Sequence, residues 1–179
     1  MTRKTLLLAL VGVLLCLLTG LMWNINKKSE LKAQVNQQIQ SIPPLTLTNL
    51  QGENIPIQSY AAGQPFLLIY FNSTCDICKI TLNALNTRIA EFETVAILLA
   101  SNQLRDELES VLVDYPFLSQ HNGQLVIDEE MHLFAYLGIR SVPSIFCYDG
   151  GGDLIASYQG PVKLDILLDK LLNREEGKL

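Results

Sequence analysis

Basic residues are scarce where nucleic-acid binding would need them. Residues 41–179 carry eight Lys and Arg against seventeen Asp and Glu, a net of −9, and a domain that neutralises phosphates needs a basic face. Cysteine is sparse as well. Four cysteines in 179 residues are too few to staple a mini-protein, and a chain of this length can bury a core without them. Histidine occurs only as His121 and His132. A zinc site built on the Cys75/Cys78 pair would need two further ligands, and the candidates Cys16, Cys147, His121 and His132 form no second paired motif. The chain has no internal repeat and no low-complexity tract. Its Gly150-Gly151-Gly152 run joins two strand-like segments and opens no helix, which argues against a phosphate loop.

What the chain does have is a reactive-looking stretch at residues 66–78. Phe66-Leu67-Leu68-Ile69-Tyr70-Phe71 is apolar throughout, as expected of a strand buried on both faces. It passes through Asn72-Ser73-Thr74 into Cys75-Asp76-Ile77-Cys78. From Cys78 the apolar positions Leu82, Leu85, Ile89 and Phe92 follow at helical spacing. Cys75 is thereby expected at a helix N-terminus, where free backbone N–H groups and the helix dipole favour a thiolate and Lys79 adds a nearby cation. Cys78, one turn in, is expected to be shielded. That division of exposure makes Cys75 the nucleophile toward a disulfide and Cys78 the thiol that resolves the mixed disulfide.

The N-terminus has a different character. Residues 6–23 are eighteen positions without a charge, preceded by Arg3 and Lys4 and followed by Lys27 and Lys28, with Trp23 at one end. This is the length of a membrane span. A cleaved signal peptide is the rival, but no small-residue cleavage site stands out, Leu18-Thr19-Gly20 being a poor one. The expectation is an uncleaved anchor with Cys16 in lipid. The flanking positive charges balance, so orientation rests on the short N-terminal tail with a whole domain after it, which places that domain outside the cytoplasm. Residues 29–42 are polar and read as a stalk, with near-helical spacing at Leu31, Val35 and Ile39 or Ile42, ended by Pro43-Pro44.

Beyond the stalk, Leu45-Thr46-Leu47-Thr48 and Ile55-Pro56-Ile57 flank Gly52 as an edge hairpin. Residues 94–100 form a second buried strand. A helix is expected over 102–115, with Leu104, Leu108, Val111 and Leu112 facing in and Pro116 stopping it. Residues 124–127 form a short strand, and Asp128 caps a helix running through Leu137 to Gly138. A hairpin over 144–158 and a helix over 162–172 close the chain. Strands alternating with helices imply an α/β sheet covered by helices on both faces.

Four pieces, in order, resemble the thioredoxin superfamily, and within it the membrane-anchored TlpA/ResA-type thiol-disulfide oxidoreductases. They are Leu45-Thr46-Leu47 with Gly52; the strand entering Cys75-Asp76-Ile77-Cys78; Asp128 ahead of Tyr136-Leu137-Gly138-Ile139-Arg140; and Ser141-Val142-Pro143-Ser144. The resemblance covers residues 45–172, and it implies a thioredoxin-like fold with a central mixed sheet, preceded by a transmembrane helix. The expected organisation is an anchor at 1–24, a polar stalk at 25–44, the thioredoxin-like domain at 45–173 and a tail at 174–179. It further implies a cis Pro143 packed against the cysteines, with the residue before it, Val142, offering backbone hydrogen bonds to substrate. Thr74, Asp76, Ile77 and Lys79 would complete the site. The redox group would be the Cys75–Cys78 disulfide itself, with no other cofactor and no metal. Protein thiols and disulfides would be the substrates, a membrane thiol reductase the electron donor, and the bacterial inner membrane, on its periplasmic side, the location.

The chain departs from the family pattern at two positions. Thr74 stands where Trp is usual, so an aromatic wall is missing. Ile69 stands where thioredoxins bury a carboxylate that takes a proton from the second cysteine, so water or another group must serve. Asp76 opposes ionisation of Cys75, and a reductant or isomerase role is expected over that of a strong oxidant. A Sco-like copper-binding chaperone shares the fold and an anchor, but uses cysteines spaced by three residues and a distant histidine. His132 reads more simply as a helix residue and His121 as a solvated loop residue. A peroxiredoxin-like peroxidase would need Thr three residues before its cysteine; Asn72 holds that place relative to Cys75, and Cys75 relative to Cys78. Cys147 reads as a small core residue.

Overall fold

The computed structural model describes residues 3–120 and 123–172, with the side chains of residues 3–11, 13–14, 31–32 and 119–120 left outside that description. His121 and the 174–179 tail therefore lie outside the described residues. The chain divides into two units, Met1–Gln37 and Gln38–Leu179. The first is helical: α1 runs unbroken over Arg3–Gln38, so the apolar run and the stalk as far as Gln38 belong to one helix. Much of the apolar run at 6–14 falls on undescribed side chains; among the described residues no helix is long and apolar enough to cross a membrane.

The second unit begins earlier than residue 45, where the hydropathy pattern put it. Ile39 and Ile42 are buried, the Ile42 N–H donates to the Gly152 carbonyl (3.1 Å) and the Leu154 N–H to that of Gln40 (2.8 Å). The end of the supposed stalk is thus part of the globular unit. The reason is local: two isoleucines and backbone pairing outweigh the polar residues around them, which face outward.

Seven strands form one mixed sheet in the order β2-β1-β5-β4-β3-β6-β7. They are β1 (Thr46–Asn49), β2 (Asn54–Pro56), β3 (Phe66–Tyr70), β4 (Ala96–Ser101), β5 (Gly123–Ile127), β6 (Ser144–Tyr148) and β7 (Leu154–Gln159). Strand β3 lies parallel to β4 and antiparallel to β6, and β4 is parallel to β5. Every residue of β3 is buried, each large apolar side chain contributing about 2 kcal/mol of burial. Its alternate residues Leu67 and Ile69 join Ile97, Leu99, Ile145 and Cys147 in a core with Leu82, Leu108 and Leu167. Those last three come from helices α3 (Asp76–Thr87), α4 (Arg105–Asp114) and α7 (Leu164–Leu172). On the other face Phe66 stacks on Tyr148 and meets Tyr60 edge-on, while Tyr70 meets Phe134 edge-on. Tyr60 belongs to α2 (Ile57–Tyr60) and Phe134 to α6 (His132–Tyr136), so both faces are covered. Pro56 sits in the edge strand β2, where its missing N–H costs no ladder bond.

Several boundaries differ from the sequence expectation. Helix α3 stops at Thr87, and Ile89–Phe92 continues as a 3₁₀ turn; Arg88, between them, is held by Glu91 and by Asp165 of α7. Helix α4 starts only at Arg105, and Leu104, expected inside, is 66% exposed. With extended φ and ψ of −66° and 154°, Leu104 is the flanking residue that leaves the helical stripe, its N–H donating to the Glu107 carboxylate (3.1 Å). Pro116 ends α4 but a short α5 (Phe117–Gln120) follows it, since proline is well tolerated at the start of a new helix.

The Gly150-Gly151-Gly152 run is a hairpin turn. The Asp149 side chain accepts N–H bonds from Gly151 and Asp153 (both 3.0 Å), and Gly152 has a φ of +88°, which favours glycine.

Candidate active site

Strand β3 delivers its chain to the same end of the sheet as β4 and β5, which run parallel to it. Past Phe71 the chain turns on the Asn72 side chain, whose oxygen accepts the Thr74 N–H (2.8 Å) and the Thr74 hydroxyl (2.6 Å). The Asn72 carbonyl accepts the Cys75 N–H (3.2 Å). Gln103, just beyond β4, clamps the neighbouring residue: its oxygen accepts the Ser73 N–H (2.6 Å) and its amide donates to the Ser73 hydroxyl (3.0 Å).

This loop presents Cys75 as the N-cap of α3, with φ −79° and ψ 116°. Its sulfur does what a Ser or Asp oxygen does at other N-caps: it accepts the Cys78 backbone N–H at 3.4 Å. The Cys75 thiol also reaches the Val142 carbonyl at 3.9 Å. The Val142–Pro143 peptide is cis, and Pro143 is buried while Val142 is half-buried. The Pro143 carbonyl accepts the Gly160 N–H (2.8 Å), and the Ser144 hydroxyl donates to the Ser141 carbonyl (2.7 Å). The site thus brings together Cys75, Cys78 and Val142-Pro143, from two separated stretches of sequence.

The two thiols differ as their positions require. Cys78 is fully buried and Cys75 partly exposed. Burial pushes the Cys78 thiol up to about 12, the Asn72 backbone opposing and the Cys75 thiol assisting. At Cys75 burial raises the pKa, but hydrogen bonds from the Cys78 thiol and from the backbone of Cys78 and Ile77 bring it below its ordinary value, against the charge of Asp76. Low thiolate pKa with access to solvent is the profile of a nucleophilic cysteine. Lys79 is exposed and, with Ser73 and Thr74, lines a groove that opens toward α4. Thr74, Asp76 and Ile77 are exposed around the thiol, Ile77 at 46%.

Ile69 is buried in the same core as Cys78. Among the described residues the buried acid is elsewhere: Asp128 accepts the Tyr70 hydroxyl (3.0 Å) and the N–H groups of Leu133 (3.0 Å) and Phe134 (2.9 Å). Tyr70 follows Ile69 in the strand and so points to the opposite face. Asp128 is not the direct helix cap expected from the sequence: α6 begins only at His132, with Met131 at its N-cap in a left-handed conformation (φ 57°). The Asp128 carboxylate reaches the first turn from the preceding loop and does not face Cys78. Cys147 is fully buried in β6, with burial raising its pKa to about 12. His132 is exposed beside Glu130 (3.4 Å). Among the described residues no group of three or more His, Cys, Asp or Glu could hold a metal ion.

Sequence reasoning assigned no role to Asn72, Ser73 or Gln103. Asn and Ser ahead of a helix are turn formers, a local signal that could have been used. Gln103 carries none, since its contact is made by the pairing of β3 with β4.

No protein-family model matches this chain, and no curated protein matches it. Solved structures do. DsbF of MTB, in its mixed oxidized and reduced forms, aligns over 76% of this chain and 96% of its own at 17% identity, with a TM-score of 0.64. A secreted Mycobacterium tuberculosis disulfide oxidoreductase homologous to E. coli DsbE aligns over 76% and 98% at 18% identity, TM-score 0.63. A thio-disulfide isomerase from Thermus thermophilus aligns over 75% and 94% at 20% identity, TM-score 0.61. The globular unit therefore has a thioredoxin-like fold of mixed sheet and helices.

Proposed function

We propose that this chain is a membrane-anchored thiol-disulfide oxidoreductase working on the periplasmic side of a bacterial inner membrane, where it reduces or exchanges disulfides in protein substrates. The observation that carries the reading is the Cys75 sulfur at the start of α3, accepting the Cys78 N–H and facing the Val142 carbonyl. The solved structures of similar fold bear names of disulfide oxidoreductases and a thio-disulfide isomerase, which agrees with it.

The chemistry follows from the two environments. The Cys75 thiolate attacks one sulfur of a substrate disulfide; a Cys75–substrate bond forms and the substrate's other sulfur leaves as a thiolate. Cys78 then gives up its proton to water or to the departing sulfur, attacks the Cys75 sulfur, and releases the second substrate thiol. Two electrons have moved to the substrate, and the chain holds a Cys75–Cys78 disulfide. A membrane thiol reductase returns it to the dithiol, so no further cofactor enters. Val142, beside the thiol, would pair its backbone with the substrate chain.

The anchor rests on residues 6–23. Leu15, Leu17, Leu18, Leu21, Met22 and Trp23 are all at least half exposed, and lipid would cover them at lower cost than water.

The test is catalysis by the full chain of protein-disulfide reduction by a dithiol, faster than the dithiol alone and lost in Cys75→Ser. Absence of catalysis together with stoichiometric, tight Cu(I) binding would instead establish a Sco-like copper-binding chaperone. The measured reduction potential, set against that of the compartment, gives the direction of electron flow. The anchored chain should remain in membranes after an alkaline carbonate wash, with its N-terminus at or near Met1; a soluble chain starting near Lys27 would remove the anchor from the proposal.

A further inference from the structure

Beside the cysteine pair, a groove of about 380 Å³ opens between the active-site loop, α3 and α4. That volume is at the low end of ligand sites, which run from roughly 300 to 1,000 Å³. Its floor is apolar: Phe71, Leu82, Val111 and Tyr115 line it, and all four are buried. Its α4 side carries Glu107 and Asp114, both exposed. Among the described residues neither forms an ion pair, the Glu107 carboxylate being engaged only with the Leu104 N–H. Lys79 is the single basic residue of the lining, at the α3 side. Thr74 also lines it, and its Cα is about 3.8 Å from that of Cys75, so the groove ends one residue from the attacking thiol.

An apolar floor under an acidic wall matches one class of side chain, a long aliphatic stem ending in a cation, which lays the stem on apolar surface and keeps the charge at the rim. The surroundings reinforce that sign. Asp106 and Glu109 on α4 and Asp76 at the start of α3 are exposed acids, and the 41–179 segment carries the net −9 noted above. Two acids facing one lysine leave the lining itself negative. We infer that this groove receives an Arg or Lys side chain of the substrate polypeptide, close in sequence to the cysteine that Cys75 attacks. The inference rests on the oxidoreductase reading and adds to it a charge preference that the cysteine pair alone would not confer.

The experiment compares three substrates of the full chain: two disulfide-linked peptides that differ only in carrying Arg or Glu two residues from the reacting cysteine, and the small neutral hydroxyethyl disulfide. The Arg peptide should be turned over with a kcat/KM about fivefold above the Glu peptide at low salt, the scale of one exposed charge pair. The ratio should shrink toward one as salt is added. Asp114→Asn combined with Glu107→Gln, which keeps an oxygen for the Leu104 N–H, should abolish most of the preference. Asp153→Asn, in the β6–β7 turn, should keep it. Equal rates for the two peptides, or a preference that survives the double variant, overturns the inference while leaving the oxidoreductase reading intact. No turnover of any of the three substrates overturns both.

Discussion

The backbone N–H of Cys78 donates to the sulfur of Cys75 across 3.4 Å. One cysteine thus caps the first turn of the helix in which the other is buried, and the pair is asymmetric by construction. The thiol at the cap is accessible and favoured as thiolate; the thiol one turn on is enclosed by core side chains and favoured as thiol.

That asymmetry assigns the variants different outcomes. Cys78→Ser should leave Cys75 able to attack while no internal thiol breaks the mixed disulfide, so partner proteins accumulate as adducts that a reductant releases. Cys75→Ser should trap few or none. Non-reducing gels of cells expressing each variant make the comparison, and equal trapping by both would refute the assignment.

The pH dependence has a definite sign. Burial raises the Cys75 pKa, yet hydrogen bonds from Cys78 and Ile77 hold it below the ordinary 9.0, so alkylation of the reduced protein should rise with pH through a midpoint under that value. Cys78 and Cys147, pushed to about 12 by burial, should stay unmodified at neutral pH. Asp76→Asn removes a charge that raises the Cys75 pKa and should move the midpoint lower. The same depressed pKa stabilises the reduced fold above the unfolded value, a contribution lost as pH falls through the folded one. Mass spectrometry after iodoacetamide pulses at stepped pH reads both the site and the midpoint.

Gln103→Ala should act on the site from outside it. The Ser73 N–H would lose its acceptor, a cost of about 1–2 kcal/mol for a part-buried donor. With the loop released, the cap at Cys75 is less well set, so Cys75 alkylation at neutral pH should slow. A variant with unchanged alkylation rate and unchanged stability would show that the clamp is immaterial.

Asp128→Ala strands two N–H groups of α6 and the Tyr70 hydroxyl in the interior. The expected loss is about 3 kcal/mol or more, since several buried donors are left unpaired at once. Tyr70→Phe removes only one of the three bonds and should cost about 1 kcal/mol. Urea denaturation of the two variants tests the order, and a larger loss from Tyr70→Phe would contradict it.

Much of this arrangement was legible without coordinates. The apolar run at 66–71, the Cys-x-x-Cys at a strand-to-helix junction, Asp128 ahead of its helix and the glycine-rich turn after 148 are local signals, because the period of burial and the needs of helix ends and turns are written within a few residues. Leu104 was misread for a related reason: apolar spacing cannot distinguish the first residue of a helical stripe from the capping residue outside it. The start of the globular unit at Gln38 was missed because Ile39 and Ile42 are buried by partners more than a hundred residues away around Gly152 and Leu154. Sequence alone therefore determined which residues could be reactive and in what kind of element each sits. Only tertiary structure decided that Gln103 holds the loop and that Asp128 lies across the sheet from Cys78. Those relations come from strand order and register, and neighbouring strands are brought together by sheet-wide burial that no local stretch encodes.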